Sequence, residues 1–293
     1  MPVSYFDLQD LADKTCLSLP SAEKELFHNI MLHSLFSIKN KLARHLAFKG
    51  GTCLYKCYGL PRFSEDLDFD IAVSRSMKKK IKALFQVQMI DTLRDRFGIG
   101  NLRFRIDENP TGFNIHANIR GPAFSQTHLD CHIKLDLSCR KKPIYDVKEV
   151  KYDASLFLEK YGVGGIIPLK IVDPREIFAE KVVTILDKRF VHHQRDEARD
   201  LLDLWYLLLK GHSCKTSDIR RKLPDGREHV FTRDNFHDSI YETAKQAEWN
   251  MMTSQLVIRP KLTEAGLTLE DIRFEKVGQE VMDGICAQHF DGG

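Results

Sequence analysis

The residues best suited to chemistry lie between positions 46 and 71, in LAFKGGTCLYKCYGLPRFSEDLDFDI. Asp66, Asp68 and Asp70 are spaced two apart, so a strand would carry all three on one face and turn Leu67, Phe69 and Ile71 to the other. Like charges this close raise one another's pKa and cost stability unless a cation neutralises them. A Mg²⁺ ion can do so, taking one or two carboxylates and completing its shell with phosphate oxygens and water. A solvated edge strand is the bland reading of the same alternation. Ahead of the acids, Lys49-Gly50-Gly51-Thr52 reads as a strand-to-helix turn. Such a turn lets backbone N–H groups approach a phosphate at a helix N-terminus, and Gly50, Gly51 and the Thr52 hydroxyl would form the cradle. It is not a Walker A loop, because GxxxxGK[ST] is absent. A phosphate turn beside an acidic strand serves phosphoryl or nucleotidyl transfer.

Such chemistry wants a further carboxylate from a neighbouring strand, either to complete a metal site or to act as base. IKLDLS offers Asp136, which shares a face with Lys134 and Ser138 while Ile133, Leu135 and Leu137 face the core. Farther on, Lys181 lies on the polar side of a helical pattern, and Asp196, Asp200 and Asp203 form a stripe on the next. These residues read either as a surface ion-pair ladder or as a lysine reaching a triphosphate, oriented by Asp200 or Asp203.

The elements that must position these groups follow from periodicity. Residues 20–47 predict a long helix with Ser21 as N-cap, and Ser76–Phe97 an amphipathic helix stopped by Gly98 and Gly100. Leu102–Ile106, Phe113–Ile119 and His128–Leu137 read as strands of an antiparallel or mixed sheet. Cys139–Leu169 is loop-rich, with room for one short strand at Val147–Tyr152. Asp173, Pro174 and Glu176 then supply N-cap, N1 and N3 of a helix over Ile177–Lys188, and Glu197–Lys210 makes a second helix ended by Gly211. A polar segment, His212–Arg233, precedes helical patterns at Asp234–Trp249 and Thr268–Phe290. The organisation expected is α+β: a mixed sheet flanked by helices in a domain over residues 1–168, then a mostly helical domain over 169–293.

Composition narrows the classes. The chain has 293 residues, 43% hydrophobic and 29% charged, which suits an ordinary globular protein. It has no run of 18 apolar residues, and MPVSYFDLQDLADK lacks the basic and apolar regions of a signal peptide, so a cytoplasmic protein is expected. Seven cysteines without framework spacing predict free thiols, with a zinc site around Cys53, Cys57 or the Cys131-His132 pair as the minor alternative. A net charge of +3 does not by itself imply a nucleic-acid partner. Three basic clusters, at Lys78, Lys79, Lys80 and Lys82, at Arg140, Lys141 and Lys142, and at Arg220, Arg221, Lys222 and Arg227, are solvated faces singly and a polyanion surface if they converge.

With these residues in place, FKGGTCLYKCYGLPRFSEDLDFDI resembles the first motif of the AbiEii family of nucleotidyltransferase-like toxins, GG-T followed by R-x-S-x-D-x-D. IKLDLS resembles the family's following acidic strand, EIFAEKVVTIL its lysine helix and RDLLDLW its R-D-x-x-D helix, all in order across residues 48–205. The resemblance implies a nucleotidyltransferase-like fold with Asp66 and Asp68 as the catalytic, metal-holding pair. Lys181 and Asp200 or Asp203 become further functional positions, and Ser64 stands at the motif's serine, near enough to contact substrate. Thr52 replaces the serine of many nucleotidyltransferases and keeps its hydroxyl, whereas Asp70 matches no essential position. The resemblance further implies Mg²⁺- or Mn²⁺-dependent transfer of a nucleoside monophosphate from an NTP to an acceptor, the 3′ end of tRNA in some relatives, with growth arrest as the outcome. It also implies a winged-helix-type antitoxin that need not touch the toxin. Two other readings stay open: the same chemistry on a small molecule or protein side chain, and a regulatory protein that binds NTP without turnover.

Overall fold

A computed structural model describes residues 3–36, 45–71, 87, 90–109, 112–138, 144–191, 197–243 and 246–290. The chain divides into two compact units, one of Met1–Tyr58, Phe63–Lys142 and Val147–Ile171, the other of Gly59–Arg62, Pro143–Asp146 and Val172–Gly293.

The first unit contains α1 (Tyr5–Thr15), α2 (Leu19–Phe36), β1 (Leu46–Lys49), α3 (Gly50–Cys57), β2 (Asp66–Ile71), β3 (Leu102–Asn109), β4 (Gly112–Ile119), α4 (Phe124–Thr127), β5 (Cys131–Ser138), β6 (Lys148–Asp153), α5 (Ser155–Leu158) and β7 (Ile166–Ile171). Its strands form one seven-stranded sheet in the order β3-β4-β5-β2-β1-β7-β6. The β2–β5 and β1–β7 pairs are parallel and the rest antiparallel, so the sheet is mixed and the fold α+β, as expected. Alternation sorts its two faces. Leu67, Phe69, Ile71, Phe113, Ile115, Ala117, Ile133, Leu135 and Leu137 are buried, and the residues between them on β4 and β5 are mostly half-exposed and polar. Phe36 of α2 and Phe48 of β1 pack on Phe69 with ring centroids 6.1 and 5.4 Å apart. Each such side chain contributes about 1.5–3 kcal/mol by leaving water.

Several elements depart from the sequence reading. Helix α2 starts at Leu19 rather than after Ser21, with the Ser18 carbonyl accepting from Ala22 N–H and Pro20 in the first turn, where its missing N–H is harmless. It does not reach residue 47, because Leu46 and Ala47 belong to β1. Of the helix expected over 76–97, the described part ends in a π-helical turn, Thr92–Arg96; Ile81, Leu84, Phe85 and the lysine cluster at 78–82 lie outside the described residues, as do Arg140, Lys141, Lys142 and Asp196. Strand β7 occupies a stretch read as loop. It pairs with β6 along its whole length, Pro168 opposite Lys151, and meets β1 at Phe48↔Ile171.

The second unit is built from α6 (Pro174–Val191), α7 (Glu197–Leu209), α8 (Thr216–Lys222), α9 (Arg233–Thr243), α10 (Gln246–Gln255), α11 (Arg259–Glu264) and α12 (Phe274–His289). Helix α6 packs on α7, α8 and α9, and α12 packs on α7. Helix α8 falls within the polar segment His212–Arg233. The Asp173 carboxylate accepts from Arg175 N–H at 3.0 Å, but Glu176 does not close a capping box. Its carboxylate instead accepts the N–H groups of Ile144 and Tyr145 at 2.7 and 3.1 Å and pairs with Lys222. Lys222 also pairs with Glu180, so one member of the third basic cluster is spent inside the fold. Gly211, at φ 73°, ends α7 as expected, its N–H donating to the Leu208 carbonyl. Among the described residues no helix is long and apolar enough to cross a membrane, and the described cysteines are free thiols.

A buried ion pair ties α3 to α2. Lys56 Nζ donates to Glu25, and Asn29 Oδ1 and the Tyr152 hydroxyl lie 3.4 Å from it. Burial raises the Glu25 pKa, but Lys56 and His28 outweigh it and hold the carboxyl at about 2. The stability this gives is present above the ordinary value of 4.5 and is lost as pH falls toward 2. Lys56→Met strands the carboxylate, and urea unfolding at neutral pH should show a loss of about 3–5 kcal/mol, part of which Glu25→Gln in the same chain restores.

Candidate active site

Strand pairing assembles the acids on one face of the first unit's sheet. Asp66 lies opposite Lys134, Asp68 opposite Asp136 and Asp70 opposite Ser138. On the outer sides of the same rung, Lys49 lies opposite Asp68 and Asn114 opposite Asp136. Asp68 and Asp136 are therefore neighbours at about one strand spacing of 4.8 Å, with Asp66 two residues along the same strand. All three are half-buried. Lys134 Nζ stands 3.5 Å from Asp136 Oδ2. Asp70 differs: it is buried, and Lys49 Nζ sits 2.7 Å from its Oδ1, so its charge is neutralised within the fold.

The glycine turn closes directly on these acids. Gly50 has φ 73°, and a Cβ built on it would stand 2.1 Å from Asp68 Oδ2 and 2.9 Å from its Cγ. Only glycine allows both the left-handed backbone and this approach. Lys49 caps α3 without a hydrogen bond from its own side chain, and at the first turn the helix dipole favours an anion. Gly51 is buried behind them. The fully buried Thr52 hydroxyl donates to the Asp66 carbonyl, so it fastens α3 to β2 instead of facing a ligand. Ser64 is buried just ahead of β2.

The donor set on this face is carboxylate oxygen, which suits a hard cation such as Mg²⁺ or Mn²⁺ and does not suit zinc. Among the described residues no group of three or more His, Cys, Asp or Glu side chains is placed to hold a metal ion.

In the second unit, Lys181 and the α7 aspartates come together with a residue not picked out as a site in the sequence. Arg62 grips Asp203 through Nε and Nη2, both at 2.6 Å, and Lys181 Nζ lies 2.7 Å from Asp203 Oδ2 while also pairing with Asp200. Burial raises the Asp203 pKa, but the two cations outweigh it and hold the carboxyl below its ordinary value. Burial likewise lowers Lys181, and Asp200 and Asp203 reverse this and raise it. Lys181 is thus a fixed cation. Arg62 was visible as the arginine of R-x-S-x-D-x-D, but its partner lies 141 residues away. Asp203→Asn leaves two buried cations short of a partner and should cost about 3–5 kcal/mol in thermal or urea unfolding, more than Asp200→Asn. The Asp203 contribution is present above pH 3.8 and fades as acid protonates it, so the gap between Asp203→Asn and the unaltered protein should shrink in acid.

A family model described as Nucleotidyl transferase AbiEii toxin, Type IV TA system, matches residues 33–275. Among solved structures, the nucleotidyltransferase toxin MenT4 from Mycobacterium tuberculosis aligns with a TM-score of 0.54 and 15% identity, covering 98% of this chain and 99% of that one. JHP933 from Helicobacter pylori aligns with a TM-score of 0.48 and 18% identity, over 94% of each chain. No curated protein matches the sequence. The structural likeness concerns the fold; the family match, spanning the glycine turn, both acidic strands and both motif helices, identifies the chain as a nucleotidyltransferase belonging to the AbiEii toxin family of type IV toxin–antitoxin systems.

Proposed function

We propose that this toxin transfers a nucleoside monophosphate from an NTP to the 3′ end of tRNA in the cytoplasm, in a divalent-metal-dependent reaction that arrests growth. The observation that carries the reading is the Gly50 turn closed against Asp68, which sets an anion-receiving helix start beside a carboxylate face. Asp66, Asp68 and Asp136 would hold Mg²⁺ or Mn²⁺, and the bound ion would neutralise phosphate charge. The backbone of Gly50 and Gly51 would receive the phosphates, with Thr52 and Ser64 supporting that turn and the start of β2. We assign to Lys181, held protonated by Asp200 and Asp203, neutralisation of the triphosphate. Catalysis then rests on positioning and charge neutralisation. The partner in this reading is an antitoxin of winged-helix type that need not touch the toxin.

Labelled NTPs, offered one at a time with total RNA and Mg²⁺, test donor and acceptor together. Label should appear in tRNA and disappear with EDTA; label in protein or small molecules with none in RNA would reject the tRNA acceptor. Asp66→Asn and Asp68→Asn should each lower transfer by at least about 10²-fold while the unfolding temperature stays near that of the parent.

A further inference from the structure

The polar face of the sheet carries basic side chains on one side of the acids. In one rung Arg105 of β3, His116 of β4 and Lys134 of β5 lie side by side and lead to Asp66 of β2. In the next, Arg103, Asn118 and His132 line up across the same three strands. Both rungs share the face of Asp136, because each residue is an even number of positions from a member of the acidic rung. The side chains of Arg103 and Arg105 are 77% and 69% exposed.

Shared carboxylates hold these groups. Asp130 accepts from Arg103 Nη2 at 2.7 Å and from Arg120 Nε at 3.1 Å. Asp107 Oδ2 lies 2.9 Å from Arg105 Nη2 and 3.3 Å from His116 Nε2. The two carboxylates orient the basic groups around them, and Arg103, Arg105, Arg120 and Lys134 outnumber Asp107 and Asp130, so the strip stays positive. His116 Nδ1 and His132 Nε2 are 3.2 Å apart, with the rings stacked at 5.4 Å. With the Nε2–H of His116 directed at Asp107, its Nδ1 is left to accept from His132 Nε2–H, so the two rings hold one another in place.

The placement separates two anions. The Gly50 turn lies on the β1 side of Asp68, and the basic strip on the β5–β4–β3 side, running about 14 Å from β2 to the sheet edge. A donor triphosphate taken by the turn leaves the strip for a second, longer polyanion. We propose that Arg103, Arg105 and Lys134 bind the phosphodiester backbone of the acceptor RNA and lead its 3′ end to Asp66 and Asp68, with the His116–His132 pair as the neutral floor between them, an inference that rests on the nucleotidyl-transfer reading above.

The test is fluorescence anisotropy with a labelled single-stranded RNA oligonucleotide, on the parent protein and on Arg103→Glu/Arg105→Glu, with Arg103→Gln/Arg105→Gln to remove charge without reversing it. The glutamate pair should raise the Kd at least about tenfold, and both pairs should flatten the salt dependence by about 0.7 in log–log slope per lost phosphate contact. The KM for NTP should stay within about twofold. An unchanged Kd and salt slope would overturn the proposal, and so would a KM for NTP that rises in step with the Kd, since the strip would then hold the donor. Repeating the binding series on Asp68→Asn separates the two readings. RNA held through the strip by a protein whose parent transfers no label would sink the transferase reading and leave the strip standing.

Discussion

The approach of Gly50 to Asp68 is the constraint on which the site depends. Strand β1 runs antiparallel to β2 with Lys49 opposite Asp68, so the chain must turn into α3 directly over a carboxylate. A residue with a Cβ cannot make that turn without displacing Asp68. The Thr52 hydroxyl pins the new helix to the Asp66 carbonyl, and the buried Lys56–Glu25 pair secures its far end to α2. Helix start, Asp66 and Asp68 are thus positioned by one short segment.

Within each unit the charges are sorted by partner. Lys49 takes Asp70, Lys134 stands by Asp136, and Arg62 with Lys181 takes Asp203. Burial makes these choices consequential, because a carboxylate held among cations in a poorly solvated place stays ionised, whereas a stranded one costs several kcal/mol. The alternation that made Asp66, Asp68 and Asp70 look equal is broken by this pairing: Asp70 serves as the counter-ion of Lys49.

Much of this was legible in the sequence where the signal is local. The acids of β2, the facing of Asp136 and the start of α6 at Pro174 follow from period-two and capping patterns. What stayed hidden depends on pairing between distant segments. The His116–His132 contact exists because β4 and β5 align Asn118 with His132 and His116 with Lys134, a register that neither strand reveals alone. Glu176 read as a capping residue but binds the backbone of residues 144 and 145, and residues 59–62 and 143–146 group with the helical unit despite their place in the chain. Strand β7 likewise owes its place to pairing with β6 and β1, which its own residues do not announce.

The most direct measurement of the central claim compares two glycines with similar backbones. Gly50 and Gly162 have φ 73° and 72°, but an added Cβ meets Asp68 at the first and nothing within 4 Å at the second. Alanine at either position carries a left-handed penalty of about 1 kcal/mol. Calorimetric titration with each of the four NTPs in the presence of Mg²⁺ should show Gly50→Ala losing at least about tenfold in affinity, or 1.4 kcal/mol, while Gly162→Ala binds as the parent does. Parent-like NTP binding by a folded Gly50→Ala protein would contradict the account.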